Sequence, residues 1–471
     1  MTSRSLLPRQ GSQQRTAGAA LRIVGASLAL TLSCTPDDAA AGAGLRGDDL
    51  VPGAADALAG AAGLDAALRQ EAALQAAATI EAAFLLDRVG VLAHDDFLGR
   101  DNGTPGGLAA QAWLATDLAN QGLPPLAAAG YALPFAAGVN LCARIAGSDA
   151  TPTVGADGIT RPLRDELVLL GAHYDHLGDA DTPGSACKAA KDAADRICNG
   201  AIDNAAGVAV TIAVARALAN SPGLLRRTLV VCLFDAEEDG LLGSKALVQA
   251  LQQEGVAGVH RPQVVAMLSV DNVGSQIIPG ELSSFATDAE FSDALRAAVH
   301  AANAITGYQT WPVSSFFVGQ EGGGRSDHLP FREAGVPVLF LGSGSGAEYH
   351  TPHDELDALD QSKLLAIARH AVVLVSSIAN ADARPDFQAK PSPHLDDGRA
   401  LVSLADRALA ASNPLKLNDT QREVVATFRS QLQGWLDHPP ATAADWKAYQ
   451  TQVKAILAAV FSFVGGHGGP P

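Results

Sequence analysis

Four continuous apolar runs occur between residues 85 and 383, and segments with helical spacing of apolar residues separate them. The runs are L-V-L-L-G-A (167–172), T-L-V-V-C-L-F (228–234), V-V-A-M-L-S-V (264–270) and V-P-V-L-F-L (336–341). Apolar runs without alternation indicate strands that are covered on both faces, as in parallel sheets with helices on either side. The pattern therefore predicts an α/β domain with a largely parallel sheet.

A different pattern begins near residue 385, where prolines interrupt the chain and no further strand-like run follows. Beyond it, apolar side chains recur with helical spacing, as in Val425, Phe428, Leu432 and Trp435. Together the patterns predict four segments. These are a signal peptide (1–33), a linker (34–53), a main domain with a helical lead-in (54–383) and a helical carboxyl-terminal extension (384–471).

The amino terminus has the pattern of an export signal. Arg15 and Arg22 precede the apolar stretch I-V-G-A-S-L-A-L-T-L-S, which ends in small residues before Cys34. A basic segment, a short apolar segment and a small-residue cleavage zone are typical of a signal peptide, and this stretch is too short to span a membrane. Cys34 is also a candidate lipid anchor. We expect export from a bacterial cell to a periplasmic, secreted or lipid-anchored location, with no integral membrane span.

Charge and cysteine spacing narrow the range of functions. The formal net charge of −17 and the pI near 5.0 argue against nucleic acid or an anionic membrane as the main partner. The five cysteines include no C-x-x-C pair, so zinc-finger spacing is absent. Cys187 and Cys198 bracket a polar loop and are a candidate disulfide. Cys142 and Cys232 lie in apolar strand-like runs, and we expect them to be unreactive core thiols.

Side chains that can bind a metal follow each of the four strand-like runs. In open α/β sheets ligands bind at the carboxyl ends of the strands, so side chains from separate strands can meet there. Each residue alone has a plain structural explanation, such as Asp203 capping the helix-like segment that follows it. Five such positions at strand ends or helix starts are much less probable by chance. The candidate metal ligands are His173, Asp203, Glu238, Asp271 and His350.

The sequence resembles the co-catalytic di-zinc aminopeptidases, the relatives of aminopeptidase Y and bacterial leucyl aminopeptidase. The resemblance extends from L-G-R-D-N-G-T-P-G-G near residue 98 to about residue 380. It includes the metal-binding motifs in order, which are H-Y-D-H (173–176), D-N-A-A-G (203–207), E-E (237–238), S-V-D-N-V-G (269–274) and E-Y-H-T-P-H-D (348–354). This family implies a zinc-exopeptidase fold, a three-layer sandwich with a central mixed, mostly parallel sheet.

The resemblance also implies a role for each candidate ligand. One zinc ion would be bound by His173 and Asp271. A second zinc ion would be bound by Glu238 and His350, and the carboxylate of Asp203 would bridge the two ions. Zinc accepts imidazole and carboxylate ligands, and catalytic sites leave a position for water.

Four further residues are given catalytic or supporting roles. Glu237 would be the general base that takes a proton from a metal-bridged water. Tyr349 would donate to the carbonyl oxygen of the substrate, although it also fits a packed core tyrosine. Asp175 and Asp354 follow the two ligand histidines and are placed to fix their tautomers. The resemblance assigns no ligand role to His176 or His353, and the segment S-D-H-L-P-F (326–331), with Asp327 and His328, would shape the pocket wall.

Three other functions stay open on the sequence. Glutaminyl cyclases share the fold and use one zinc ion, but they usually carry Trp at the position of Tyr349. A carboxypeptidase acting on acidic dipeptides would share the metal site. A non-catalytic binding scaffold like transferrin receptor is disfavoured, because all ligand positions and the base are present. We therefore predict a metallo-aminopeptidase that removes the N-terminal residue of peptides, with its side-chain preference open.

Overall fold

The computed structural model describes residues 54–182, 184–190, 193–318 and 326–464. The predicted signal peptide, the predicted linker and Cys34 lie outside the described residues. Contacts within the chain define a compact unit that begins at Ala59, and the fold described below is that of this unit together with the start of its first helix.

The strands form one eight-stranded sheet and two small two-stranded sheets. In chain order they are β1 (Ala132–Pro134), β2 (Val139–Ile145), β3 (Pro152–Val154), β4 (Thr160–Pro162), β5 (Leu167–His173), β6 (Gly178–Asp179), β7 (Ile197–Cys198), β8 (Thr228–Phe234), β9 (Val264–Val270), β10 (Ser284–Thr287), β11 (Thr310–Pro312) and β12 (Val338–Gly342). The large sheet has the order β1-β2-β8-β5-β9-β12-β10-β11, while β3 pairs with β4 and β6 with β7. Its four central strands, β8, β5, β9 and β12, are parallel to their neighbours among these four.

The remaining strand pairs make the sheet mixed. β1, β2 and β8 pair in antiparallel fashion, as do β12 and β10, whereas β10 and β11 are parallel. The four apolar runs of the sequence are the four central strands. β12 begins at Val338, two residues later than its run, because Pro337 has no N–H to donate to a ladder. The predicted mixed, mostly parallel sheet is confirmed.

Helices cover both faces of the large sheet. They are α1 (Ala54–Ala78), α2 (Ala82–Leu92), α3 (Pro105–Asn120), α4 (Gly207–Ala219), α5 (Leu242–Gln253), α6 (Asp293–Thr306), α7 (His328–Glu333), α8 (Gln361–Asn380), α9 (Asp396–Ala408), α10 (Asp419–Asp437) and α11 (Ala443–Val464). Alternate residues of β5 face different layers: Val168 and Leu170 pack in the core that includes α4 and α8, and Leu167 and Leu169 pack in the core that includes α5. The domain is therefore a three-layer sandwich.

The predicted helical extension consists of α9, α10 and α11. Leu401, Leu432 and Tyr449 from these helices share a second core with Phe285 of β10 and Val313, which follows β11. Each of these five residues is less than 10% exposed. The extension therefore covers the β10–β11 end of the large sheet.

Among the residues that the structure describes, two helical stretches are long and apolar enough to cross a membrane, Ala201–Ala219 and Gln361–Asn380. Their most apolar windows are 94% and 72% buried inside the protein. Both stretches pack against the sheet as core helices, which explains their apolar composition.

The described part of the chain contains two disulfides, and only one of them was anticipated. Cys187 and Cys198 are joined, closing the polar loop between them. Cys142 and Cys232 are also joined, so the expectation that they are core thiols is wrong. The reason is strand register: β2 and β8 are antiparallel, and the two cysteines lie directly opposite each other with their Cα atoms 4.2 Å apart. A single sequence does not reveal that register.

Candidate metal centre

The carboxyl ends of the parallel strands bring the candidate ligands to one edge of the sheet. His173 is the last residue of β5, Asp271 directly follows β9, and Glu238 lies four residues after β8. Because these three strands are adjacent and parallel, their carboxyl ends lie at the same edge. His350 comes from the loop after β12, and Asp203 comes from the turn that precedes α4.

Asp203 lies at the centre of this cluster, with its two carboxylate oxygens near different histidines. Its Oδ1 is 3.2 Å from His173 Nε2, and its Oδ2 is 3.2 Å from His350 Nε2. The residue is only 2% exposed. Burial alone would raise the pKa of Asp203, but the two histidine rings outweigh burial and hold that pKa well below its ordinary value. Asp203 is therefore an ionised carboxylate that joins two groups of ligand atoms.

The backbone around Asp203 is an irregular turn that is tied to the end of a central strand. Residues Ala201–Ala206 form a π-type turn before α4, and the peptide bond between Asp203 and Asn204 is cis. The Asn204 side chain donates to the carbonyl oxygen of Val270 at 2.9 Å and accepts from the N–H of Gly207 at 3.0 Å. Asn204 thus fixes the Asp203 turn next to the strand end that carries Asp271.

The first group of ligand atoms belongs to His173, Asp203 and Asp271. One ligand atom from each lies within 4.8 Å of the others, and all three side chains are buried. His173 Nε2 is 3.4 Å from Asp271 Oδ1. Burial lowers the pKa of His173, but the carboxylates of Asp271 and Glu237 outweigh burial and raise that pKa well above its ordinary value.

The second group contains a histidine that sequence reasoning missed. His350 Nε2 is 3.4 Å from Glu238 Oε2, which matches the expected ligand pair. The other oxygen, Glu238 Oε1, is 2.9 Å from Nδ1 of His176. His176, Asp203 and Glu238 each offer a ligand atom within 4.8 Å of the others. The only signal in the sequence was the second histidine of H-Y-D-H, a position with no role in the resemblance.

The Glu237-Glu238 doublet is held by a left-handed turn and by one carboxylate. Ala236 has φ 55°, which is unusual for a residue other than glycine and turns the chain after β8. The two oxygens of Asp175 accept the N–H groups of Glu237 and Glu238, each at 3.1 Å. Asp175 therefore fixes the backbone of the predicted base and of the predicted ligand together.

Burial changes the proton affinity of both glutamates. Glu237 is 8% exposed, and burial with the neighbouring Glu238 and Asp271 raises the pKa of Glu237 well above its ordinary value. Burial, followed by the charge of Asp203, raises the pKa of Glu238 to about 8. A carboxyl group with a raised pKa can accept and return a proton near neutral pH, as general acid–base catalysis requires.

Asp175 and Asp354 both hold backbone of the site, and their predicted roles in fixing the tautomers of His173 and His350 stay predictions. Asp354 accepts the N–H of Ile202 at 2.7 Å and the N–H of Asp203 at 3.0 Å, so it holds the Asp203 turn. For His173 the nearest acceptor to Nδ1 is the carbonyl oxygen of Asp175 at 3.2 Å, and its carboxylate is 3.7 Å away. Both carboxylates are occupied by backbone N–H groups, whose positions depend on the folded loops.

Tyr349 lies against the ligand histidine next to it. Its ring stacks on the His350 ring, with centroids 3.8 Å apart and an interplanar angle of 20°. Burial raises the pKa of Tyr349, so its hydroxyl keeps its proton and can donate a hydrogen bond. The Lys188 ammonium lies 5.6 Å from the centroid of the Tyr349 ring, and the Lys188 N–H donates to the carbonyl oxygen of His350 at 2.8 Å. The disulfide-closed loop therefore contacts the His350 loop.

The S-D-H-L-P-F segment contributes one residue to the electrostatics of the site. Asp327 is fully buried, and burial raises its pKa to about 7. Its charge is one of those that raise the pKa of Glu237. His328 is paired with Asp288 instead, at 3.1 Å between Nε2 and Oδ2. The role of this segment in a pocket wall stays a prediction.

A divalent cation fits the balance of charge in this cluster. Within the part of the chain that the structure describes, no Lys or Arg nitrogen lies within 4.0 Å of a carboxylate oxygen of Asp203, Glu237, Glu238 or Asp271. His350 Nε2 is buried and makes no hydrogen bond of ordinary geometry, although carboxylate oxygens lie 3.2 and 3.4 Å away. Imidazole nitrogens and carboxylate oxygens directed at common points are the ligand set of zinc.

A mixed sheet between helical layers, with imidazole and carboxylate groups at its carboxyl edge, is the architecture of the zinc exopeptidases. Residues 156–375 match the model of Peptidase family M28. The matched segment contains every candidate ligand, Glu237 and Tyr349. Together with the relatives described next, it confirms the predicted resemblance to the zinc aminopeptidases.

The curated relatives are named as aminopeptidases. The chain is 28% identical over 232 residues to a probable leucine aminopeptidase of Arthroderma otae, covering 46% of this chain and 56% of the relative. It is 28% identical over 255 residues to aminopeptidase YwaD of Bacillus subtilis, covering 51% and 49% of the two chains. The chain thus spans about half the length of the curated relatives it matches.

A solved structure supports the fold. The LapA aminopeptidase of Legionella pneumophila superposes with a TM-score of 0.50 at 18% identity, over 66% of this chain and 75% of LapA.

Proposed function

We propose that the protein is a zinc-dependent aminopeptidase that binds two zinc ions and removes the N-terminal residue of peptides. The observation that carries the proposal is the position of Asp203 between two histidines. Its Oδ1 faces His173 and its Oδ2 faces His350, which is how a single carboxylate joins two metal positions. The M28 match and the aminopeptidase relatives support the same function.

The residues present would hold the ions in two groups that share Asp203. His173 and Asp271 complete one group, and Glu238 and His350 complete the other. When bound, a pair of zinc ions lowers the pKa of water and polarises a carbonyl group. Because one carboxylate serves both groups, loss of Asp203 removes both positions.

Glu237 carries the proton in this proposal. It lies beside the ligands but has its own buried carboxyl group, with a pKa raised well above the ordinary value by burial. Glu237 takes a proton from the attacking water and delivers it to the amine that leaves. Tyr349, kept protonated by burial, donates its O–H to the oxygen of the scissile carbonyl. The buried carboxylates around the site bind the free α-amine of the substrate, so we expect the enzyme to require an unblocked N-terminus.

The testing experiment is a substrate panel assayed with zinc and with a chelator. The panel contains aminoacyl-anilides, their acetyl-blocked forms, acidic dipeptides and peptides with N-terminal glutamine. We expect hydrolysis of the free aminoacyl-anilides only, and loss of activity with the chelator that added zinc restores. Glu237→Gln should abolish turnover, whereas Glu254→Gln, at an exposed position after α5, should leave it unchanged.

Three results would redirect the proposal. Cyclisation of N-terminal glutamine without anilide hydrolysis would favour a glutaminyl cyclase. Cleavage of acidic dipeptides alone would favour a carboxypeptidase. A Glu237→Gln variant as active as the parent, or a protein without bound metal, would overturn the enzyme assignment and leave a binding scaffold.

We also propose that the protein acts outside the cytoplasm. The two disulfides, Cys142–Cys232 and Cys187–Cys198, support this location because structural disulfides persist mainly in oxidising compartments. Alkylation of free thiols in cell fractions tests the proposal. We expect four of the five cysteines to resist alkylation in the exported fraction, and accumulation of a reduced, active protein in the cytoplasm would contradict it.

A further inference from the structure

His176 is built into the candidate metal centre, although the function described above does not use it. The residue is 0% exposed, and its ring meets the ring of His350 edge to face at 5.8 Å between centroids. Its Nδ1 is 2.9 Å from Oε1 of Glu238. A buried ring in this position is close enough to influence how Glu238 presents its carboxylate.

The surrounding chain holds the His176 ring in place. Gly200 has φ 59°, and a Cβ atom there would lie 2.5 Å from Cδ2 of His176, so only glycine leaves room for the ring. The N–H of His176 donates to the carbonyl oxygen of Arg100 at 3.3 Å. The guanidinium of Arg100 in turn donates to the carbonyl oxygen of Gly200 at 3.0 Å. The same buried arginine therefore fixes both the backbone of His176 and the glycine beneath its ring.

The contact between His176 and Glu238 indicates which of the two residues donates the hydrogen bond. Once Glu238 is ionised, as a zinc ligand would be, its carboxylate can only accept hydrogen bonds, and Nδ1 of His176 then carries the proton in this contact. The bond occupies Oε1 of Glu238. It leaves Oε2, which is 3.4 Å from His350 Nε2, as the oxygen directed toward the second ligand group.

We propose that His176 is a positioning residue that holds Glu238 through Oε1, so that Glu238 binds the second zinc ion through Oε2 alone. This inference rests on the proposed two-zinc site. Groups that orient a metal ligand by a hydrogen bond reduce metal affinity by about 10–100-fold when they are removed. We expect the effect to fall on the second ion, because Glu238, whose Oε1 His176 contacts, belongs to the second ligand group.

The test measures zinc affinity directly, by competition with a chromophoric chelator. The parent should bind two equivalents of zinc. His176→Phe fills the volume of the ring without a donor, and it should keep one tight equivalent and bind the second about 10–100-fold more weakly. His176→Asn places an amide N–H near the position of Nδ1 and should restore most of the second affinity. His353→Phe, at an exposed position in the same loop as His350, is the matched control and should bind zinc as the parent does.

A further variant keeps the test decisive if His176→Phe does not fold. His176→Gln extends its amide toward the position of Nε2 rather than Nδ1, so it should weaken the second equivalent as Phe does. Parental affinity for both ions in His176→Gln would overturn the proposal. An equal loss in His176→Asn and His176→Gln would also overturn it, because His176 would then act as a ligand itself. A parent that binds fewer than two zinc ions contradicts the proposed function instead.

Discussion

The metal centre and the contact between the sheet and the helical extension both bury acidic side chains, but they balance the charge in different ways. At the extension, Asp396 is 1% exposed and lies 2.7 Å from a guanidinium nitrogen of Arg399 and 3.1 Å from His300 Nε2. The neighbouring Asp397 accepts both the N–H and the O–H of Ser314, at 2.8 and 2.7 Å. Asp396 and Asp397 therefore both have partners within the protein.

At the metal centre the carboxylates face one another and the histidines. Burial raises the pKa of Glu238 to about 8, and burial raises the pKa of Asp354 to about 8. At Asp396 the opposite holds: burial would raise the pKa, but His300 and Arg399 outweigh burial and lower it to about 2. The difference distinguishes acidic groups that stabilise the fold from acidic groups whose charge is left for a ligand to balance.

The largest expected effect is the loss of zinc-dependent stabilisation when Asp203, the residue shared by both ligand groups, is replaced. Zinc at 1,000 times its dissociation constant should raise the free energy of unfolding of the parent by about 4 kcal/mol for one site. Asp203→Asn should lose this zinc-dependent gain and the enzyme activity, because Asp203 is shared by both ligand groups. Urea unfolding with and without zinc measures the gain. Asp397→Asn is the matched control, and a retained gain in Asp203→Asn would contradict the two-group description.

The second prediction concerns the sign of the pH dependence. Glu238 and Asp354 have pKa values raised to about 8 from 4.5 and 3.8, so the stability they contribute is present below about pH 4 and is lost as the pH rises through about 8. Chelator-treated protein should therefore lose stability as the pH rises between about pH 4 and pH 8. Saturating zinc should reverse this trend, because the ions stabilise the ionised carboxylates.

Asp396 of the extension should respond in the opposite direction. The pKa of Asp396 is lowered from 3.8 to about 2, so its contribution is present above about pH 4 and is lost as the pH falls toward 2. Asp396→Asn should remove this acid-side loss and leave the loss between pH 4 and 8 unchanged. Urea unfolding of the two proteins across this pH range measures both trends. A single pH trend shared by the two regions would contradict the distinction between them.

The third prediction separates stability from activity. Asp397→Asn leaves the N–H or the O–H of Ser314 without its acceptor, which should lower the free energy of unfolding by about 1–3 kcal/mol. Activity per folded molecule should not change, because the extension contributes no ligand. Asp406→Asn removes an exposed ion pair with Arg429 and should cost no more than about 1 kcal/mol. Loss of activity in folded Asp397→Asn would show that the extension takes part in catalysis.

The sequence anticipated features that depend on local pattern. Runs of apolar residues located β5, β8 and β9 to within a residue, because strands buried on both faces leave a continuous signal. His173 and Asp271 could be found because they lie at the ends of β5 and β9, whereas Asp203, Glu238 and His350 were identified through their motifs. The number of zinc ions and the roles of the site residues stay predictions, since they depend on what the site binds.

Contacts between residues that are far apart in the sequence could not be predicted from local pattern. The Cys142–Cys232 disulfide requires the register between β2 and β8. The role of His176 requires the distance to Glu238, which is 62 residues away in the chain. Asp354 was placed next to His350 by its sequence spacing, but its carboxylate accepts from the backbone of the Asp203 turn. Spacing along a loop does not determine which way a side chain points once the loop folds.

The smallest expected effect tests how far the metal centre extends into the disulfide-closed loop. The N–H of Lys188 donates to the carbonyl oxygen of His350 at 2.8 Å, and proline at this position has no N–H to donate. Lys188→Pro should therefore weaken zinc binding by about 0.5–1.5 kcal/mol, the net contribution of one hydrogen bond. Lys188→Ala keeps the N–H and is the matched control, with zinc affinity measured by chelator competition. An equal loss in Lys188→Ala would assign the effect to the ammonium over Tyr349, and unchanged affinity in Lys188→Pro would exclude the loop from the metal centre.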